Sequence, residues 1–392
     1  MRHVGIDASN LRVGGGVTHL VELLRAARPQ AHSFDRVTVW GSARTLERIE
    51  ERPWLCRVHD PMLERPLAYR VYWQRFRLAR LARAAACNVL FVPGGSDASG
   101  FRPVITMSRN LLPFEWREAR RYGFSWLTLK NVLLRASQTR TFRSADGLIL
   151  LTQYSRDVIM KAIGASRGQV TVIAHGVDGQ FRCQPRPQKD LVEYSTQRPF
   201  RLLYVSIVDA YKHQWHVADA VAQLRAGGTP VVLDLVGPAY GPALARLKQT
   251  LRRLDPDARF LRYLGAVPHA QLPELYRAAD LNLFASSCEN MPNILLEGMA
   301  SGLPIACSNR GPMPEVLGAG GVYFDPEQPC QIAAAVRLLI ESAALRSAVA
   351  QAASERAQQF SWARCADETF QFLATVAAGA CQRDRLHEMT TS

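Results

Sequence analysis

The chain has 392 residues, 48% hydrophobic and 21% charged, which excludes intrinsic disorder and predicts more than one ordinary hydrophobic core. No apolar run approaches the ~20 residues of a membrane-spanning helix, and the N-terminal MRHVGIDASN enters a strand directly, so we expect neither membrane insertion nor secretion. The net charge of +14 is uneven: residues 1–190 hold 30 Lys and Arg against 15 Asp and Glu, whereas residues 191–392 hold 18 against 19.

Alternating apolar runs and longer helical stretches predict a β-α repeat in the first half. His3–Asp7 is predicted as a strand, the glycines at 14–16 as a loop and residues 17–27 as a helix. Further strands are predicted at 37–40, 89–92, 104–107, 147–151 and 170–174, and long helical stretches at 66–86 and 116–143. Near-continuous Val, Ile and Leu in the strands is typical of a parallel sheet buried on both faces.

A second β-α series follows a polar segment with two prolines at 183–189, which predicts a linker. Strands are predicted at 202–206, 231–236, 260–264, 281–284 and 304–307, and helices at 215–226, 241–254 and 292–300. We therefore predict an α/β protein with two Rossmann-like, doubly wound domains facing across a cleft. Their predicted bounds are 1–185 and 195–360, followed by a C-terminal helix at 361–382.

The segment after the predicted strand 281–284 carries the clearest chemical pattern. Asn290 and Pro292 suit the cap and first turn of a helix that ends near Gly302. Such a loop offers backbone N–H groups and a positive helix end to an anion. Glu289 and Glu297 suit sugar hydroxyls, so the segment predicts a ligand with both phosphates and hydroxyls, the alternative being two surface glutamates.

The pair Glu289-x7-Glu297, with Pro292 and the Gly-x-Pro that follows, resembles the signature of retaining glycosyltransferases of the GT-B architecture. The resemblance spans nearly the whole chain and is strongest at 200–345 and weakest at 40–100. Segments 108–114 and 204–215 resemble bacterial enzymes of envelope polysaccharide synthesis, in particular mannosyl- or deoxyhexosyltransferases of O-antigen assembly.

The resemblance implies roles for individual residues. Glu297 would bind the nucleotide ribose, and Glu289 would hold sugar hydroxyls near the anomeric carbon. Lys212 would offset the charge of the leaving diphosphate, the main electrostatic task in breaking the glycosidic bond. The loop backbone would bind sugar hydroxyls and diphosphate at Asn290, Met291 and Pro292.

The chain departs from the family pattern at two positions. Ile207 stands where the family usually has a phosphate-binding Arg, so either Arg310 or Lys212 alone must serve. The family often has a His after the strand corresponding to 104–107, where this chain has Ser108-Arg109-Asn110. Asn110 could hydrogen-bond a sugar hydroxyl but could not act as an acid or base.

Two further motifs are weaker. The Gly14–Gly16 loop follows a strand and opens a helix, so the backbone at Gly15 and Gly16 could approach a diphosphate; the alternative is a turn without function. Asp255-Pro256-Asp257 matches the metal-binding Asp-x-Asp of other glycosyltransferases but lies where an ordinary turn is predicted. No Cys or His cluster has zinc spacing, so we expect no metal and no cofactor.

The basic, aromatic stretch at 69–83 fits a helix lying on an anionic membrane, and a second such cluster lies at 116–130. The alternative is a packed helix with a solvated arginine face; a nucleic-acid partner is not expected, because no RNA- or DNA-reading module is present. The expected function is transfer of a hexose, with retention, from a nucleotide-diphosphate sugar of the GDP-mannose type to a lipid-linked or oligosaccharide acceptor. We expect the reaction to take place at the cytoplasmic face of the membrane. The alternatives are a UDP-sugar with a soluble acceptor, a nucleotide-sugar epimerase, and a non-catalytic polyanion binder.

Overall fold

The computed structural model describes residues 2–12 and 14–391. The chain divides into two compact units. Unit 1 comprises Met1–Phe114, Trp126–Gly176 and Ser361–Ser392, and unit 2 comprises Glu115–Ser125 and Val177–Phe360.

Unit 1 is built on a seven-stranded parallel sheet in the order β3-β2-β1-β4-β5-β6-β7. Its strands are β1 His3–Asp7, β2 Arg36–Gly41, β3 Leu55–His59, β4 Val89–Val92, β5 Val104–Met107, β6 Gly147–Leu150 and β7 Gln169–Val172. β1, β4, β5 and β6 are buried along their whole length, as their continuous apolar sequence predicts.

Unit 2 has a six-stranded parallel sheet in the order β10-β9-β8-β11-β12-β13. Its strands are β8 Phe200–Val205, β9 Val231–Val236, β10 Leu261–Gly265, β11 Leu281–Phe284, β12 Ile305–Ser308 and β13 Val322–Phe324. The strand order reverses between β8 and β11, as in a Rossmann fold. The predicted α/β class with two Rossmann-like domains is confirmed.

The helices lie between the strands, and a π-helical turn at Gln74–Leu78 joins two of them. In chain order they are α1 Gly15–Ala26, α2 Ala43–Leu46, α3 Leu67–Trp73, α4 Ala79–Ala84, α5 Trp116–Ala119, α6 Trp126–Ser144, α7 Gln153–Ile163, α8 Gln214–Ala226, α9 Gly241–Leu254, α10 Leu272–Ala278, α11 Asn293–Ala300, α12 Met313–Leu317, α13 Pro329–Glu341, α14 Ala343–Ala357 and α15 Trp362–Thr391. No helix among the described residues is long and apolar enough to cross a bilayer.

The structure differs from the predicted elements in several places: β13 was not predicted, and two further differences bear on the fold. β3 was not predicted, because it is a half-exposed edge strand with Arg57 and His59 in place of a continuous apolar run. The single helix predicted at 116–143 is interrupted at Gly123, whose φ of 58° lies in the left-handed region that favours glycine. The interruption separates α5 from α6 and sends Glu115–Ser125 into unit 2.

The C-terminal helix α15 belongs to unit 1, although it follows unit 2 in the chain. Phe370 is buried and meets Phe34 edge to face, with ring centroids 6.3 Å apart. Phe372 packs so closely on β6 that a Cβ at Gly147 would lie 2.9 Å from its ring. Neither this placement nor that of Glu115–Ser125 was predicted from the sequence.

Candidate active site

The predicted donor residues lie at the switch point of the unit 2 sheet. β8 pairs with β9 on one side and with β11 on the other, so the loops after β8 and β11 leave the sheet side by side. The first loop carries Lys212 and the second carries Glu289. Ligands of open α/β sheets bind outside the carboxyl ends of the strands at such a point.

Lys212 and Glu289 form an ion pair between Nζ and Oε1. Lys212 is buried, and its ammonium lies 5.1 Å from the ring centre of Tyr211 and 5.4 Å from that of Phe284. The hydroxyl of Tyr204 donates to the carbonyl oxygen of Lys212 at 2.7 Å, which fixes the loop backbone. The structure therefore brings together two residues that the sequence singled out 77 positions apart, in a desolvated environment.

Glu297 lies on α11 and is 8% exposed. Its Oε1 lies 3.2 Å from Nε2 of His269, while Oε2 is buried without a hydrogen-bond partner among the described residues. Burial raises the pKa of Glu297, and His269 partly offsets this. The sequence analysis did not identify His269; its place just before α10 carries no recognisable motif.

The loop from Asn290 to Pro292 is buried. The predicted cap is corrected: Pro292 itself is the N-cap, and α11 begins at Asn293 with no side chain capping it. The side chain of Pro292 has no polar atom, so it cannot cap the helix by a hydrogen bond. Its φ of −83° leads the loop into the helix. The helix ends at Ala300, and Gly302 takes a φ of 66°.

The segment Glu115–Ser125 packs on the two loops that hold Lys212 and Glu289. The buried Glu118 accepts a hydrogen bond from the Ser287 hydroxyl at 2.6 Å and is held by Arg121 at 2.7 Å. The hydroxyl of Tyr122 donates to Asp209 at 2.7 Å. Asp209 and Ser287 lie in the loops after β8 and β11, so this segment fastens both.

His213 completes this hydrogen-bond chain. Its Nε2 lies 2.9 Å from the Ser287 hydroxyl, and its backbone has a φ of 54°, a strained conformation for a residue other than glycine. Burial lowers the pKa of His213 to about 3, so the ring is neutral at ordinary pH. Because Ser287 donates to Glu118, a neutral His213 satisfies the serine oxygen by donating from Nε2. None of these three residues was predicted.

Arg310, the predicted replacement for the missing phosphate-binding arginine, is paired elsewhere. Its Nη2 lies 2.5 Å from Oδ2 of Asp325, and this pairing contributes to lowering the pKa of Asp325. Ile207 is 38% exposed, and its carbonyl oxygen accepts from Gln214 at 2.8 Å. Among the contacts of the described residues none joins Arg310 to Lys212 or Glu289.

The remaining predicted residues lie in unit 1. Asn110 is exposed, and its Oδ1 accepts from the backbone N–H of Leu112 at 3.1 Å, a local turn. Gly15 and Gly16 form the first turn of α1, so the predicted loop shrinks to Gly14, whose φ is 71°. The sequence analysis passed over Arg109, whose guanidinium lies against Gly16.

The two aspartates of the Asp255-Pro256-Asp257 segment make structural contacts. Asp255 accepts backbone hydrogen bonds from Phe260 at 2.7 Å and Leu261 at 2.8 Å, which closes the turn before β10. Asp257 pairs with Arg259 at 2.9 Å. Within the described part of the chain, no group of three or more His, Cys, Asp or Glu residues is arranged to hold a metal ion.

Comparison with known proteins finds similarity to glycosyltransferases in both halves of the chain. The family model described as "Glycosyltransferase Family 4" matches residues 13–181, and that described as "Glycosyl transferases group 1" matches residues 187–356. The O-antigen chain mannosyltransferase B of Escherichia coli is 36% identical over 28% of this chain. A glycogen synthase of Mycobacterium tuberculosis is 28% identical over 64% of it. These matches cover 29% and 59% of the two relatives, so the chain spans less than two thirds of either.

The fold agrees with solved structures along nearly the whole chain. The crystal structure of Anabaena Alr3699/HepE in complex with UDP has a TM-score of 0.68 at 21% identity, over 96% of this chain and 100% of that one. A likeness at this identity establishes the fold. The two halves of this chain therefore match the family 4 and group 1 glycosyltransferase models, in that order, and the two domains have the fold of the GT-B architecture.

Proposed function

We propose that the protein transfers a hexose from a nucleotide-diphosphate sugar to a hydroxyl acceptor with retention of anomeric configuration. The observation that carries this proposal is the buried Lys212–Glu289 ion pair at the switch point of the unit 2 sheet. A cation held in a desolvated loop beside a carboxylate suits a ligand that brings both a diphosphate and sugar hydroxyls.

The ion pair provides for an exchange of partners. When the donor binds, its diphosphate takes the ammonium of Lys212, and Glu289 becomes free to accept from a sugar hydroxyl. Oε2 of Glu297 is buried and accepts no hydrogen bond from the residues that the structure describes, which suits a ribose hydroxyl as donor. As the glycosidic bond breaks, negative charge grows on the diphosphate, so Lys212 stabilises the transition state more than the ground state.

We propose a donor of the GDP-mannose type and a lipid-linked glycan acceptor of envelope polysaccharide synthesis. The similarity of one segment to an O-antigen mannosyltransferase supports this choice. A UDP-sugar with a soluble acceptor is the second candidate, favoured by the likeness to a structure solved with UDP. The two candidate donors differ in base and sugar, so the residues that contact those groups would distinguish them.

We further propose that unit 1 rests on an anionic membrane through α3, the π-helical turn and α4. Trp73 and Leu78 are buried in the core of the unit, whereas Tyr69, Tyr72 and Phe76 are 52–62% exposed. Arg75 stacks over Phe76 at 5.6 Å. Exposed aromatic rings interleaved with arginines suit the boundary between lipid headgroups and water.

The donor is identified by thermal unfolding with UDP-, GDP- and ADP-sugars, since a ligand that binds only the folded protein raises its unfolding temperature. Transfer to a polyprenyl-diphosphate-linked sugar is then followed, and the anomeric configuration of the product is read by NMR, with chelator present in a parallel assay. Retention supports the proposal. An inverted product, epimerisation of the donor, or the absence of nucleotide-sugar binding contradicts it.

A further inference from the structure

A pocket of about 270 Å³ opens at the edge of the unit 2 sheet opposite the donor loops. Its walls come from residues within the segment 186–201, which leads into β8, and from residues 278–280, which lead into β11. Lys212 and Glu289 follow the carboxyl ends of the same two strands. Since β8 has 6 residues at about 3.3 Å each, the two edges of the sheet lie roughly 20 Å apart. The pocket is therefore separate from the candidate active site.

Cations dominate the lining of this pocket. Its charged members are four cations and one carboxylate: Arg186, Lys189, Arg198, Arg201 and Asp280. The Oδ1 atom of Asp280 accepts from Nη2 of Arg186 at 3.1 Å and from the hydroxyl of Tyr194 at 3.2 Å. Its Oδ2 accepts from the backbone N–H of Arg201 at 2.9 Å, and the guanidinium of Arg201 pairs with Asp234 at 3.3 Å. Arg186 and Arg201 are thus paired with carboxylates of the protein.

The side chains of Lys189 and Arg198 have no such partner. Within the part of the chain that the structure describes, neither side chain forms an ion pair or a hydrogen bond. The nearest acids in the sequence are Asp190 and Glu193. The backbone N–H of Asp190 donates to the carboxylate of Glu193 at 3.0 Å, and neither residue lines the pocket. Two positive charges without a counter-charge in one pocket attract an anion.

The wall that carries Lys189 is held by Arg346, a fully buried residue of α14. Nη2 of Arg346 donates to the backbone carbonyl oxygen of Lys189, and its Nε donates to Oε1 of Gln188 at 3.2 Å. Its Nη1 donates to two carbonyl oxygens in the last turn of α13, both at 2.6 Å. The wall has no helix or strand at 186–189, so these bonds fix its backbone. The pocket is thus formed before a ligand arrives, which lowers the ordering cost of binding.

We propose that this pocket binds the phosphate group of a phosphorylated monosaccharide, at a site separate from that of the nucleotide-sugar donor. A phosphate monoester carries a charge of about −1.5 to −2 at pH 7, which balances Lys189 and Arg198. The guanidinium fork suits two phosphate oxygens, and the ammonium suits a third. The volume of about 270 Å³ lies below the roughly 300–1,000 Å³ of sites for drug-sized ligands, so a hexose monophosphate fits better than a nucleotide sugar. Pro187, Pro199 and the ring of Tyr194 supply apolar walls for the sugar.

Calorimetry with the monophosphates of glucose and mannose tests the proposal, with inorganic phosphate and the unphosphorylated sugars as comparisons. The full chain is used in a Lys212→Met background, which removes the cation of the proposed donor site. At least one ester should bind more tightly than inorganic phosphate, and the unphosphorylated sugars should not bind. Lys189→Gln and Arg198→Gln should each weaken ester binding roughly tenfold, the loss expected for a charged hydrogen bond. Arg198→Lys should retain part of the affinity, because it keeps the charge and loses the fork.

The matched control is Lys248→Gln with Arg252→Gln, which removes one Lys and one Arg from α9, outside the pocket. It should leave ester affinity unchanged, whereas Lys189→Gln with Arg198→Gln should abolish binding. Without ligand, that pocket variant should unfold at the temperature of its parent. Absence of ester binding, equal losses in the control and pocket variants, inorganic phosphate bound as tightly as every ester, or a lower unfolding temperature of the pocket variant would overturn the proposal. Because the test measures binding at a separate site, it stands even if sugar transfer, and with it the proposed function, fails.

Discussion

Lys212 and Glu289 are best understood as a pair, because their ion pair holds both side chains in place before a ligand binds. The ammonium is buried and paired, so it is held in place rather than recruited from solvent. Preorganised charge of this kind needs no reorganisation as the bond breaks. The same burial makes Lys212 and Glu289 costly when either is removed alone.

Lys212→Met should lower kcat on the order of 100-fold or more, the effect of losing one oriented electrostatic donor. Steady-state kinetics and nucleotide affinity are measured together, with the exposed Lys248→Met as control. The substitution leaves the carboxylate of Glu289 without its ion-pair partner. The double variant Lys212→Met with Glu289→Gln should therefore regain unfolding temperature but not activity. Unchanged kinetics and unchanged nucleotide affinity would refute the role of Lys212.

Glu297→Gln should weaken donor binding roughly tenfold or more, because a hydrogen bond to a charged group contributes about 1.5–3 kcal/mol. It should also raise stability at pH 7. Burial raises the pKa of Glu297 above its ordinary 4.5. At a pH between 4.5 and the raised pKa, the folded state therefore holds a proton that the unfolded state has lost. Stability therefore falls as pH rises from 4.5 through the raised pKa, and the variant should lack this fall.

Calorimetry with the nucleotide and unfolding at pH 5 to 8 check both parts of the Glu297 prediction. Glu274→Gln, an exposed position on α10, is the control. Nucleotide affinity equal to that of the wild type would show that Glu297 lies outside the donor site. A lower unfolding temperature at pH 7 would show that its carboxylate is stabilising despite its burial.

Among the elements, the short segment Glu115–Ser125 acts as a support for the loops of the active site. It contributes Glu118 to Ser287 and Tyr122 to Asp209, and so touches the loop after β11 and the loop after β8. Glu118 and Tyr122 thus hold Ser287 and Asp209, which lie in the same loops as Glu289 and Lys212. We interpret the segment as a positioning element.

Glu118→Ala should lower kcat up to about 100-fold, the scale of a displacement of about 1 Å at a catalytic group. Because Lys212 keeps its own ion pair, nucleotide affinity should change less than kcat. Arg117→Ala is the matched control on the same segment, since Arg117 is 63% exposed and pairs with Glu327. Glu118→Asp should restore part of kcat. Equal losses in kcat and in nucleotide affinity, or a loss of fold alone, would show that Glu118 has only a structural role.

At the scale of the whole molecule, charge is the property that the two halves do not share. Residues 1–190 carry twice as many Lys and Arg as Asp and Glu, and residues 191–392 are nearly balanced. Each Lys or Arg near an anionic surface contributes about 1 kcal/mol, and the field decays within about 10 Å at 0.1 M salt. Arg77 pairs with Asp60 at 3.0 Å, so Arg75, Arg80 and Arg83 are the freer charges.

Sedimentation with vesicles tests the proposed membrane contact at low and high salt. Binding should require anionic lipid and fall with salt, and it should weaken when Arg75, Arg77, Arg80 and Arg83 are changed to Ser. The control changes four exposed cations of unit 2 to Ser: Lys248, Arg252, Arg253 and Arg259. No binding at low salt, or binding to neutral vesicles alone, would leave the arginines as a solvated face and favour the soluble acceptor.

The sequence by itself determined the buried strands and the parallel sheets, because a buried parallel strand needs a continuous apolar run, as at β9 and β11. The partly exposed strands β3 and β13 were not predicted. It also placed Lys212 and Glu289 in loops after two strands, whereas the pairing of those strands, which brings the two residues together, came only from the structure. Boundaries set by glycine or proline were predicted to within one or two residues, as at α11.

Tertiary structure alone decided the contacts that depend on distant parts of the chain. No local pattern places Glu118 on Ser287 across 169 residues, pairs His269 with Glu297, or sends α15 back to unit 1. Arg109 was passed over for the same reason: its sequence neighbours do not show that its Nη1 is buried without a hydrogen-bond partner among the described residues. Local propensity and periodicity act within an element, whereas burial and electrostatics arise only when elements pack together.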